Sequence, residues 1–155
     1  MKIGTAVLLA GTAVAGVGMA RLLQEAKSQW ERTEATLARN QLDWLTQIST
    51  DPAVASKWAP AGMAVEEYMG LMSANSLLCS FSLRDRLGRV SKRQRDLYAS
   101  MIMDSDVARR YWDKFGHLRV QEAVGDPHAE QFNDALVRAA DRVARADRQD
   151  GPAPA

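Results

Sequence analysis

With 155 residues, 20 basic against 19 acidic, and a formal charge of +1, the chain is long enough for one domain with a modest core and too short for two well-packed ones. The balanced charge removes the long-range field of a dedicated nucleic-acid binder, so no nucleic-acid partner is expected. Cys79 is the only cysteine, which excludes a disulfide framework and a multi-cysteine zinc site and leaves a small buried apolar residue as its plainest reading.

From Ile3 to Ala20 no residue is charged, and at a rise of about 1.5 Å per residue such a helix nearly matches a hydrocarbon core of about 30 Å. Lys2 and Arg21 bracket the run with side chains that snorkel to headgroups, and Leu22 and Leu23 carry the helix through the interface. Residues 1–23 therefore read as a transmembrane anchor, meeting the lipid bilayer through residues 3–23. The competing reading is a secretory signal cleaved near Ala13-Val14-Ala15 or Gly18-Met19-Ala20, which would leave a secreted protein. Retention is favoured because only Met1-Lys2 precedes the apolar run and helix-compatible sequence continues past both sites.

Gly16-Val17-Gly18 fails as a nucleotide-binding turn, since no strand precedes it and Arg21 stands where glycine or alanine is needed. Gly11 with Ala15, and Thr12 with Gly16 and Ala20, instead have the small-xxx-small spacing that lets membrane helices approach closely, a route to self-association. Arg21, Lys27, Arg32 and Arg39 follow the span and only Lys2 precedes it. The positive-inside bias then places the helical domain in the cytoplasm of a single-pass protein of the cell membrane, and the lack of any disulfide pair agrees.

Leu23, Trp30, Leu37 and Trp44 recur every seven residues, with Ala26, Leu45 and Ile48 beside them, so the anchor continues as a long amphipathic helix. Asn40 and Gln47 occupy the second coiled-coil column, so the stripe is expected to pack on the chain's own helices rather than in a zipper. Asp51-Pro52 ends this helix and starts a short one through Trp58. Pro60 and Gly62 break it, and a third helix from about Ala64 carries Val65, Tyr68, Met69, Met72, Leu77, Leu78 and Phe81 before Gly88 stops it. Apolar around much of its girth, it should be central.

Ser91 to Gln94 is a capping box opening a fourth helix with Leu97, Tyr98, Met101 and Ile102 on one side. Asp104 or Ser105 caps a fifth with Val107, Ala108, Tyr111, Trp112 and Phe115, and Asp126-Pro127 opens a sixth with Phe132, Leu136, Val137 and Val143. Trp58 and Trp112, near helix ends on apolar sides, are expected in the core. No stretch alternates with period two. The expected fold is all-α: one N-terminal transmembrane helix continuing into a small bundle of about five further helices, a helical domain over residues 24–148 and a disordered tail over 149–155.

The search for chemistry nominates little. His117 and His128 have no partner at metal-ligand spacing, Asp104-Ser105-Asp106 is explained by capping, and Glu66-Glu67 by the dipole of a helix start. No nucleophile elbow or phosphate-cradling loop is present, so no catalytic, cofactor or metal residue is assigned, and a non-enzyme is favoured over an enzyme. Arg84, Arg86, Arg89, Lys92, Arg93 and Arg95 form one dense basic segment, diluted by Asp85 and Asp96. It is a candidate anionic-lipid patch, weighed against an ordinary solvated turn.

The apolar N-terminal helix, Asp51-Pro52 followed by Val54, Ala55 and Trp58, a middle helix with Tyr68 and Asn75, and Arg109-Arg110-Tyr111-Trp112 together resemble an uncharacterised family of short actinobacterial proteins, a domain of unknown function common in Streptomyces, over roughly residues 1 to 115. Where the family's middle helix is rich in aromatics, this chain has Ser76, Leu77 and Leu78. The resemblance implies an anchored helical protein and carries no activity with it. Two functions follow: a membrane-anchored interaction or regulatory module with an unidentified protein partner, or a small-ligand carrier or enzyme whose site forms only in three dimensions, with Trp58, Tyr68, Asn75, Arg109 and Trp112 as candidate pocket or partner-binding residues. A concave pocket with converging polar groups would favour the second, and a filled core with an exposed apolar patch the first.

Overall fold

The computed structural model describes the backbone of residues 3–149 and the side chains of residues 23–149. Among them lie six helices and no strand: α1 (Ile3–Thr50), α2 (Pro52–Trp58), α3 (Val65–Arg86), α4 (Lys92–Met103), α5 (Asp106–Glu122) and α6 (Pro127–Gln149). The all-α class and the five helices after the first agree with the sequence reading. Among the described residues no helix is long and apolar enough to cross a membrane. The expected span, its small-residue spacing and the tail fall almost wholly outside the residues whose side chains are described. The chain divides into two units, Met1–Leu37 and Ala38–Ala155.

Local chemistry sets the helix ends. The Asp51 carboxylate accepts the N–H groups of Ala53 at 2.8 Å and Val54 at 3.3 Å, and Pro52 fills the first turn of α2. Asp126 repeats this with the N–H groups of His128 at 3.1 Å and Ala129 at 3.2 Å before Pro127 opens α6. Ser91 and Gln94 close a reciprocal capping box on α4. Gly88, at φ +67°, stops α3, and the N–H of Arg89 returns to the carbonyl of Arg84 at 3.0 Å. Ser105 stands at the start of α5 without the side-chain cap expected of it, and the neighbouring Asp106 carboxylate engages Arg109 instead.

In the Ala38–Ala155 unit α3 packs against α2, α4, α5 and α6, the central place its apolar girth implied, while α4 and α6 run along one another. Leu71 and Leu78 of α3, Ile102 and Met103 of α4, Phe132 and Leu136 of α6 and Leu45 and Ile48 of α1 are buried together. Three expectations are corrected. Leu23, Trp30, Leu37 and Trp44 are 65%, 48%, 63% and 41% exposed, and the α1 residues that enter the core are Leu45 and Ile48. Trp58 is 58% exposed, because α2 ends there and its indole meets Trp44 edge-on at 5.4 Å instead of entering the core. Cys79 is partly exposed within a polar cluster rather than a filler of the core.

Candidate functional site

Asn75 is the focus of a polar cluster between α3 and α5. Its side-chain oxygen accepts the Tyr111 hydroxyl at 2.8 Å, the Arg119 guanidinium at 3.1 Å and the Cys79 thiol at 3.6 Å. The Cys79 sulfur in turn lies 3.6 Å from Arg119 Nη1 and 3.6 Å from Gln41 Nε2, two donors. From α6 the buried Asn133 donates to the Arg119 carbonyl at 2.9 Å, tying the last turn of α5 in place. Burial pushes the Tyr111 phenol up, against the opposing pull of Arg119. Burial works against the Arg119 cation, but the Cys79 sulfur and Tyr111 oxygen outweigh it and raise its pKa. Its Nε is buried without a partner. Among the described residues the hydrogen-bond partners of the Asn75, Cys79, Tyr111 and Arg119 side chains are one another and Gln41.

Arg109 and Trp112 come together elsewhere, in an open cleft of about 880 Å³ between α5 and α6. Met103, Trp112, Val137 and Ala140 form its apolar lining, with Arg110, Asp113, Asp141 and Asp147 around them. Arg109 is spent on the Met103 carbonyl, 2.8 Å away, and on Asp106. The Trp112 indole lies over Gly116, one turn on, where a Cβ would stand 2.8 Å from the ring. Tyr68 packs partly buried against the core, with its hydroxyl pKa raised by burial, and belongs to neither group. Trp58 sits apart, on Trp44. The five nominated residues are thus distributed over four places.

The basic segment divides as well. Arg95 donates to Asp85 at 2.8 Å and to Gln131 at 3.0 Å, and Arg86 to Asp126 at 2.5 Å. Arg84, Arg89, Lys92 and Arg93 remain exposed. Among the described residues no three histidine, cysteine or acidic side chains group as a metal site would need.

The polar cluster was legible only in part. Asn75 was nominated, whereas Cys79, Tyr111, Arg119 and Gln41 were missed. The available signal was spacing: Asn75 and Cys79 are one turn apart on α3, and Tyr111 and Arg119 about two turns apart on α5.

Residues 2–154 match the profile of a Family of unknown function (DUF6082). The chain belongs to that family, over a longer stretch than the resemblance at residues 1 to 115 implied. No curated protein and no solved structure matches the chain.

Proposed function

We propose that this member of the DUF6082 family is an actinobacterial membrane-tethered interaction module: one N-terminal helix in the bilayer, the helical domain in the cytoplasm, and a protein partner met along the emergent helix. The observation that carries this reading is the continuity of α1. One unbroken helix includes the uncharged run from Ile3 to Ala20 and then Leu23, Trp30, Leu37 and Trp44, all exposed. Large apolar side chains aligned on an exposed helix face are a common mark of an interaction surface. Arg84, Arg89, Lys92 and Arg93 supply the basic patch, each contributing about 1 kcal/mol near an anionic leaflet.

Flotation of the full chain with phosphatidylcholine vesicles tests the tether. It should rise with the vesicles and resist alkaline extraction, and Leu9→Arg with Val14→Arg should release it. A wild-type chain left at the bottom of the gradient sinks the reading. For sidedness, Ala153→Cys in a Cys79→Ser chain should react with an impermeant maleimide only after lysis. Labelling of intact cells would overturn the cytoplasmic placement, and a shortened mature chain in the culture medium would establish the secreted alternative.

A second reading rests on the α5–α6 cleft. Asp113, Asp141 and Asp147 make no salt bridge among the described residues and line the same cleft as Trp112, a composition suited to an organic cation. Titration with quaternary ammonium compounds should then change the tryptophan emission of the wild type and not of Trp112→Leu. No change in the wild type removes this reading.

A further inference from the structure

We infer that the α5–α6 cleft is the docking groove for a basic amphipathic helix of a partner protein, whose lysine or arginine side chains meet Asp113, Asp141 and Asp147. The inference rests on the cation reading of that cleft and names the form in which the cation arrives. Two apolar stripes run along α6. Phe132, Ala135, Leu136 and Ala139 are buried in the core, while Val137, Ala140 and Ala144, spaced by three and four residues, line the cleft. Val137 is 38% exposed and Ala144 is exposed as well, so the second stripe is left open where the first is covered.

The dimensions suit a helix better than a small ligand. The lining runs from Asp106 to Asp113 on α5 and from Val137 to Asp147 on α6, about 10 Å and about 15 Å of helix. Asp141 and Asp147 stand about 9 Å apart along the axis of α6, and Asp113 is on the other wall, so a single ammonium group cannot meet all three. Small organic ligands are held by sites that enclose most of their surface, whereas this cleft is open. Alanine at two floor positions one turn apart, Ala140 and Ala144, lets another helix settle closely between α5 and α6.

Charge selects the occupant. Arg109 is held by Asp106 and the Met103 carbonyl, which leaves Asp113, Asp141 and Asp147 against Arg110 alone among the charged residues that line the cleft. The surplus is negative, so an acidic helix is repelled and a basic one is drawn in. Residues seven apart on a helix share a face and lie about 10 Å from one another, close to the interval between Asp141 and Asp147. The apolar stems of lysine or arginine cover the Val137 stripe, and their charged ends reach the carboxylates and the Trp112 ring.

Fluorescence anisotropy of the full chain in a neutral detergent tests the groove with two alanine–lysine peptides of about five helical turns, one with its lysines on a single face and one of the same composition with its lysines dispersed round the helix. The single-face peptide should bind the wild type more tightly than the dispersed one. Asp141→Asn with Asp147→Asn should weaken it by about tenfold, the scale of two exposed charge pairs, and Val137→Arg should abolish it. Asp43→Asn with Glu66→Gln, which removes two charges outside the cleft, should leave it unchanged. Equal binding of the two peptides, or an Asp141→Asn, Asp147→Asn chain that binds like the wild type, overturns the inference. Spermidine bound as tightly as the single-face peptide would assign the cleft to a small polyamine and overturn it too. Tetramethylammonium titrated into the same samples reads the free-cation reading separately. A tryptophan response to it without discrimination between the peptides keeps that reading and drops the helix, and selective peptide binding without such a response keeps the helix and drops the free cation. No response to any probe removes both.

Discussion

Tyr111 of α5 donates its hydroxyl to the side-chain oxygen of Asn75 on α3 at 2.8 Å, and that oxygen receives the Arg119 guanidinium and the Cys79 thiol as well. Three donors on one acceptor form a pocket better suited to a carboxylate than to an amide. Asn75→Asp should therefore stabilise the fold at pH 7 by about 1 kcal/mol, the scale of a hydrogen bond gaining charge. The gain should be present above the unfolded carboxyl value near 4 and lost as pH falls through the lower folded one. Asn75→Leu should cost on the order of 1–3 kcal/mol by leaving buried donors unmet. Urea unfolding at pH 7 and at acid pH measures both, and an Asn75→Asp chain weaker than wild type at pH 7 would refute the account.

Asp85 and Arg95 are a second such relationship, with Asp85 only 3% exposed and one of its oxygens buried without a partner. Arg95→Met should cost about 3–5 kcal/mol, because it strands a buried carboxylate, while Asp85→Leu with Arg95→Met should recover most of the loss. A double variant as unstable as the single one would mean the pair holds the α3–α4 connection through more than its charge.

Gly116 lies beneath Trp112, and a Cβ there would meet ring atoms at 2.8, 3.0 and 3.1 Å. Alanine gains about 1 kcal/mol of helix propensity over glycine, but displacing a packed indole costs about 1–3 kcal/mol. Gly116→Ala should lower the thermal midpoint in the wild-type chain and raise it in a Trp112→Ala chain. The same sign in both would show that the ring yields freely.

Asp126 is a pH-dependent point in the loop before α6. Burial raises its carboxyl pKa, but the Ala129 N–H, the Arg86 guanidinium 2.5 Å away and the His128 N–H together hold it below the usual value. Its contribution is complete above the unfolded pKa and is lost as pH falls through the folded one. Carboxyl titration followed by NMR should show Asp126 rising toward the ordinary carboxylate range in Arg86→Met, and an unmoved titration would assign the depression to the helix start alone.

Helix boundaries were readable because each is written in a few adjacent residues: Asp51 with Pro52, Ser91 with Gln94, Asp126 with Pro127. Which face of a helix is covered is not written locally. The stripe from Leu23 to Trp44 establishes that four large residues share a face, and periodicity cannot state what meets that face. Leu45 and Ile48 took the core instead, although Ile48 lies only about 40° round the helix from Trp44. Asn75 was nominated from among the residues that carry the family resemblance, but its strongest donors arrive from Tyr111 and Arg119, 36 and 44 residues away, a distance that only tertiary packing closes.

The junction of α1 and α2 is a single residue. The N–H of Asp51 still closes the last turn of α1 on the Gln47 carbonyl at 3.0 Å, while its carbonyl receives the Ala55 N–H at 2.9 Å and its carboxylate holds Ala53 and Val54. A joint with no spare residue cannot act as a swivel. To bend there, the chain must give up the final hydrogen bond of one helix and the cap of the next together. Bending at this joint would therefore also disturb the contact of the Trp44 and Trp58 indoles, which face one another across it.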